Sequence, residues 1–280
     1  MNKSQIATIV IILVVMGYLY ALPVKGLIKP KPENTTAAAA TASKAAVTVT
    51  VADVSATAKQ ALETTPAKQI SDLEAQLSNA PVGGKLALQK QLATKWDEVG
   101  QFAPAAFYYL DIALQSNQLA DWLDAGKRFN SAYKVSQDTA AQAAFITNAV
   151  EAFDHATKLQ PNNLEAKMGL GIAYVNGGAM PMQGIALLLE VVKQEPKNHD
   201  ALLNLGMFSM KSGQYDKAVQ RFKTMVAIKE EVEPYFYLAE SYKQLGQKEE
   251  AIAAYEKCKE LMGDPVAGQR IDEYIKELKK

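Results

Sequence analysis

Apolar positions divide the 280-residue chain into stretches with different rhythms. Residues 6–22, IATIVIILVVMGYLYAL, are apolar on every side of a helix and uncharged over 17 residues. This predicts one transmembrane helix at the short end of the spanning range. Tyr18 and Tyr20 stand near its end, where amphipathic rings favour the membrane interface. A cleaved signal peptide is the competing reading. Its apolar region would be long, and Leu19-Tyr20-Ala21 and Val24-Lys25-Gly26 are poor small-x-small sites. From Pro30 to Thr65 the periodicity lapses into Ala, Thr, Val and Pro with no aromatic residue, including Ala37-Ala38-Ala39-Ala40 and Val47-Thr48-Val49-Thr50-Val51. Such a stretch buries too little to fold, which predicts a flexible linker over 23–65 behind a short tail at 1–5. A helical period begins at residue 66, where Ile70, Leu73 and Leu77 predict a first helix. At the other end Ile271, Tyr274, Ile275 and Leu278 recur at i, i+3, i+4 and i+7, predicting an amphipathic closing helix over 266–279.

Between these two helices the pattern repeats. Leu205-Gly206, Gly213, Tyr215, Ala218 and Phe222 are followed by Leu238-Ala239, Tyr242, Gly246, Ala251 and Tyr255, with Gly206 to Ala239 and Ala218 to Ala251 both 33 residues apart. The pattern extends backwards through Leu170-Gly171 and Tyr174, through Trp122, Gly126 and Phe129 with Ala149, Phe153 and Ala156, and through Leu92-Ala93, Trp96, Gly100, Ala105 and Tyr109. Small residues in this pattern let two helices of a pair approach, and large ones fill the space beside them. The pattern resembles the tetratricopeptide-repeat (TPR) family, a helix pair of about 34 residues stacked in tandem.

The resemblance covers roughly two thirds of the chain and implies an all-α solenoid at 66–280. Its units are expected at 86–118, 119–163, 164–198, 199–231 and 232–265. Gly126 to Ala149 spans 23 residues where about 12 are expected, so the second unit has longer helices or a long turn near Ser136-Gln137-Asp138. In this family the first helix of each unit lines a concave face. Counting from the small residue places Met168, Ile172 and Val175, then Leu203, Asn204, Met207 and Met210, then Phe236, Tyr237, Glu240 and Lys243 on that face. These side chains either form an apolar, methionine-rich binding groove or pack as core between helices. Met168, Glu233 and Tyr237 stand where relatives that clamp a peptide carboxylate carry bases, so that mode is not expected. The first unit offers Lys90, Gln91, Thr94 and Asp97, a polar end expected to be solvated.

Lys and Arg together number 30, as do Asp and Glu, which argues against a nucleic-acid partner. No catalytic or metal constellation is apparent: His155 and His199 fall in different units, His155 on an expected helix surface, and the lone Cys258 takes a small-residue position of a buried helix. No enzyme activity and no cofactor are expected.

The expected function is a membrane-tethered adaptor or scaffold that holds a protein or peptide segment, with residues 6–22 in the lipid bilayer. The layout resembles bacterial envelope TPR proteins. The Gly177-Gly178-Ala179-Met180-Pro181 turn and following repeats are similar to accessory TPR subunits of cytochrome c maturation, and the layout is also similar to translocon-associated TPR chaperones. A self-associating structural role, with a homo-oligomer, is the other class. The expected place is the bacterial inner membrane, single-pass, with a periplasmic body. Lys25, Lys29 and Lys31 after the span argue for the opposite orientation by a literal count of positive charge.

Overall fold

The computed structural model describes residues 49–280. The expected tail, transmembrane span and first part of the linker lie outside the described residues. Among the described residues no helix is long and apolar enough to cross a membrane.

The described residues form thirteen α-helices and no strand. Two leading helices, α1 (Val51–Lys59) and α2 (Thr64–Asn79), precede five antiparallel pairs. The pairs are α3 (Val82–Glu98) with α4 (Phe102–Ser116), α5 (Leu119–Val135) with α6 (Thr139–Leu159), α7 (Leu164–Gly177) with α8 (Pro181–Gln194), α9 (His199–Lys211) with α10 (Tyr215–Ile228), and α11 (Val232–Gln244) with α12 (Lys248–Met262). Helix α13 (Pro265–Leu278) packs on α12. Each helix of the pairs contacts the next, and first helices also touch across pairs, α5 on α7, α7 on α9 and α9 on α11. This is the nearest-neighbour architecture of a repeat solenoid.

Local chemistry starts these helices. Asn163 and Asn198 cap α7 and α9 by accepting the backbone N–H groups of Ala166 and Ala201 at 2.8 and 2.9 Å. Asp138 does the same for α6, and Pro181 occupies the first turn of α8. The core is serial rather than central. Phe153, Phe222 and Tyr255 lie on second helices, four residues after a small residue (Ala149, Ala218, Ala251), and all are buried. Helices α7 and α8 approach closest where Gly171 meets Gly184: a β-carbon on Gly184 would stand 2.5 Å from the Gly171 carbonyl oxygen. The second pair is long because its helices are 17 and 21 residues, with only 136–138 between them.

The linker expectation fails over its last part, where 51–59 are helical. Thr50 and Asp53 form a capping box at the start of α1. Val49 and Val54 join Ala103 and Phe107 of α4 in one apolar cluster. Ser55 donates to Glu74 of α2, and Lys59 lies 2.6 Å from the same carboxylate. Tertiary packing and one shared carboxylate thus order a segment whose composition alone would not.

Candidate partner-binding groove

A hollow of about 700 Å³ runs along the first helices α3, α5, α7 and α9. Its floor on α7 and α9 is apolar, formed by Met168, Ile172, Leu203 and Met207, all half-buried, with Asn204 beside them. Five of the eleven groove residues expected from the sequence therefore share one surface.

The other six lie elsewhere. Val175 packs toward α8, its Cγ2 standing 2.8 Å from where a β-carbon of Gly184 would be. Met210 packs against the C-terminal apolar cluster, as Leu203 and Met207 also do, but it does not line the hollow. Phe236 and Tyr237 border a separate recess of about 710 Å³ against α12 and α13. Phe236 packs edge-on to Tyr255 at 6.2 Å and lies 6.3 Å from Tyr274, and Tyr237 stacks on Phe222 at 5.5 Å. Glu240 accepts the Tyr255 hydroxyl, and the Lys243 ammonium sits 5.4 Å over the Tyr274 ring. Phe236 and Lys243 of α11 thus meet Tyr274 of α13, and with Tyr237, Tyr255 and Phe222 they form an aromatic cluster at the fifth pair.

The opposite end of the hollow is polar and internally paired. Arg128 of α5 donates from Nε to both carboxylate oxygens of Asp97 at 3.1 Å and from a terminal nitrogen at 2.7 Å, and Tyr109 donates to the same group at 3.0 Å. The hydrogen bonds that Arg128 donates to Asp97 raise its pKa above the ordinary value. Lys127 bridges Asp124, at 3.2 Å, to Glu165 of α7, at 2.8 Å. Asn130 donates to the Gly169 carbonyl at 3.1 Å, and Tyr133 to that of Asn176 at 3.3 Å. These bonds tie three first helices together along the hollow. Of the polar end expected in the first unit, Lys90, Gln91 and Thr94 are exposed, while Asp97 is fixed by Arg128. The contribution of α5 was missed, although a readable signal existed: the count that places Ile172 and Met207 one residue after a small residue places Lys127 after Gly126.

The remaining candidates are structural. His155 is half-buried and stacks on Trp122 at 4.2 Å, which corrects its reading as a surface residue. Cys258 is buried, its thiol donates to the Val232 carbonyl at 3.6 Å, and burial pushes its pKa up. Among the described residues no three His, Cys, Asp or Glu side chains gather as a metal site requires.

Comparison with known proteins agrees with this architecture. Residues 232–265 and 187–220 match tetratricopeptide-repeat sequence models. A thermophilic TPR protein of Thermus thermophilus, TTC0263, is 20% identical over 67% of this chain and 97% of its own, with a TM-score of 0.52. Two crystal structures of MamA are 20% and 21% identical, cover 64% and 61% of this chain and 92% and 94% of their own, and each have a TM-score of 0.48. No curated protein matches the sequence. At such identity the likeness is one of fold. The chain therefore carries tetratricopeptide repeats, matched directly at 187–220 and 232–265, within an all-α repeat solenoid.

Proposed function

We propose that this protein is a membrane-tethered adaptor that holds a short apolar segment of a partner protein in the hollow between α7 and α9. One observation carries the reading: Met168, Ile172, Leu203 and Met207 form a continuous apolar floor that lines an open hollow. Paired charges bound that floor on the α5 side, and the aromatic closure of α11 and α13 bounds it on the other. TPR units generally mediate protein–protein contacts, and one matched unit, 187–220, includes all of α9. Flexible thioethers suit such a floor to apolar side chains of varied shape. The tether rests on the uncharged run at 6–22, and the periplasmic placement on its resemblance to envelope proteins with one N-terminal anchor.

The test is photo-crosslinking in cells from position 207, with exposed position 249 on α12 as control, followed by mass spectrometry. A discrete protein captured only from 207 is the expected result. Equal or absent capture from both positions overturns the adaptor reading. The captured protein's compartment assigns the side of the membrane, and its identity separates an apocytochrome tail from a translocating chain.

A further inference from the structure

Six charged side chains line the hollow between the first helices, and four of them neutralise one another: Asp97 with Arg128, and Lys127 with Glu165. Lys134 and Asp200 remain. Among the described residues Lys134 is exposed and forms no ion pair. The Asp200 carboxylate meets only His199, whose Nδ1 lies 3.4 Å away and whose Nε2 is engaged with Glu231 at 2.9 Å. Each stands where its sign suits a helix end, in the last turn of α5 and the first turn of α9. A full charge outweighs the roughly half charge of opposite sign at such an end, so its own sign prevails. Helix-end stabilisation does not require lining the hollow: Asp216, the first-turn acid of α10, lies outside it. Gly126 and Gly206 hold the same place in their units, and Lys134 follows the first by eight residues while Asp200 precedes the second by six. The first helices run parallel, so the two charges are separated by about 20 Å along the helix direction. The apolar floor falls between them in two rows. Met168 and Leu203 stand three residues before the small residue of their helices, and Ile172 and Met207 one residue after. The rows are about 6 Å apart.

We propose that the segment held in this hollow is extended and carries opposite charges at its two ends: a Lys or Arg beside Asp200, an Asp or Glu beside Lys134, and apolar side chains on alternate residues between them. This rests on the adaptor reading and specifies its ligand. Alternate residues of an extended chain point to one side about 6.6 Å apart, which matches the two apolar rows. The span between the charges is then roughly six or seven residues. A helix over the same span needs about 14 residues and fills a cylinder of about 1,600 Å³. That is more than twice the hollow of about 700 Å³, so an extended chain fits and a buried helix does not. The basic end is the more strongly selected. Lys127 and Arg128 already face three carboxylates, Asp97, Asp124 and Glu165, so Asp200 adds to an excess of negative charge. Opposite charges at the two ends also fix the direction in which the segment lies, because the reversed segment sets like charges together at both.

The test uses the full chain in cells, with the photo-crosslinker at position 207 and the captured segment sequenced by mass spectrometry. The expected segment has a basic and an acidic residue roughly six or seven positions apart, with apolar residues between. Asp200→Lys is expected to lower capture about tenfold, and Lys134→Glu about threefold or more. Asp216→Lys, the same exchange in the first turn of α10, should leave capture unchanged and controls for the effect of a charge at a helix end. Asp200→Asn, which keeps the shape of the side chain and so the fold, should lower capture about threefold. A captured segment without the two opposite charges overturns the proposal, as does capture that survives both reversals. In either case the discrete capture from 207 still supports the adaptor reading. Absence of discrete capture from the unsubstituted protein overturns that reading, and this proposal with it.

Discussion

The ring of Phe153 lies so close to Gly169 that a β-carbon on Gly169 would stand 2.1 Å from it. Phe153 belongs to the second helix of one unit and Gly169 to the first helix of the next, so this contact sets how closely consecutive units stack. Gly169→Ala is expected to destabilise the protein by about 1–3 kcal/mol through overpacking, seen as a lower midpoint in thermal unfolding followed by circular dichroism. Gly83, in the first turn of α3, would place a β-carbon in open space. Gly83→Ala is expected to be neutral or to stabilise by about 0.5–1 kcal/mol. Equal midpoints for the two variants would mean that this close approach does not govern stacking.

Arg128 and Asp97 predict a measurable coupling. Their side chains are only 27% and 21% exposed, and the guanidinium also lies 5.0 Å over the Tyr109 ring, so α3, α4 and α5 meet at one ion pair. Arg128→Lys loses the forked geometry and is expected to cost about 1–2 kcal/mol. A double-mutant cycle on Arg128 and Asp97 should return a coupling of that order. The exposed pair Lys158 and Asp154, at 68% and 43% exposure, should return about 0–0.5 kcal/mol. Comparable couplings would show that the pair lining the hollow is no stronger than a surface contact.

The repeats were readable because they rest on local pairs: a small residue followed four positions later by a buried aromatic, as in Ala149 with Phe153, Ala218 with Phe222 and Ala251 with Tyr255. Helix α1 was not readable in the same way. Its Val and Ala residues carry no strong period, and its hold on Glu74 is made by folding. The count from the small residue brought Met168, Ile172, Leu203, Asn204 and Met207 onto one hollow. It did not bring Phe236, Tyr237, Glu240 and Lys243 onto the same hollow. Those positions follow the same count, but Phe236 and Lys243 pack on Tyr274 of the closing helix α13, and Tyr237 and Glu240 on Phe222 of α10 and Tyr255 of α12, partners that the count cannot register.

Cys258 gives a cheap probe of the C-terminal pair. Its thiol is fully buried in the cluster with Phe222, Leu238 and Tyr255, and burial raises its pKa. A bulky disulfide reagent at neutral pH is expected to leave the native protein unmodified and to react with one thiol per chain once denaturant unfolds it. Because the cluster that buries the thiol includes Ile275 of α13, Ile275→Ala should speed its labelling by opening that end alone. Rapid labelling of the unsubstituted native protein would contradict the packing of α13 on α12.

Tyr109 predicts how stability fades in alkali. Burial first, and then its hydrogen bond to Asp97, push the phenol up to about 12. In the unfolded chain it titrates near 10. The folded state thus keeps its proton where the unfolded state has lost it. The stabilisation is complete below pH 10 and is lost as pH rises from 10 to 12, at up to about 1.4 kcal/mol per pH unit for this one proton. Tyr108 and Tyr255 are raised as well, both chiefly by burial, so the decline in the unsubstituted protein is steeper than one group explains. Tyr109→Phe removes one proton's share and is expected to flatten the fall between pH 10 and 12, while lowering stability at pH 7 by about 0.5–1.5 kcal/mol for the lost hydrogen bond. Urea unfolding at a series of pH values separates the two effects, because the first changes the slope and the second the offset. Parallel curves for the two proteins would mean that the phenol beside Arg128 and Asp97 titrates no differently in the folded and unfolded states.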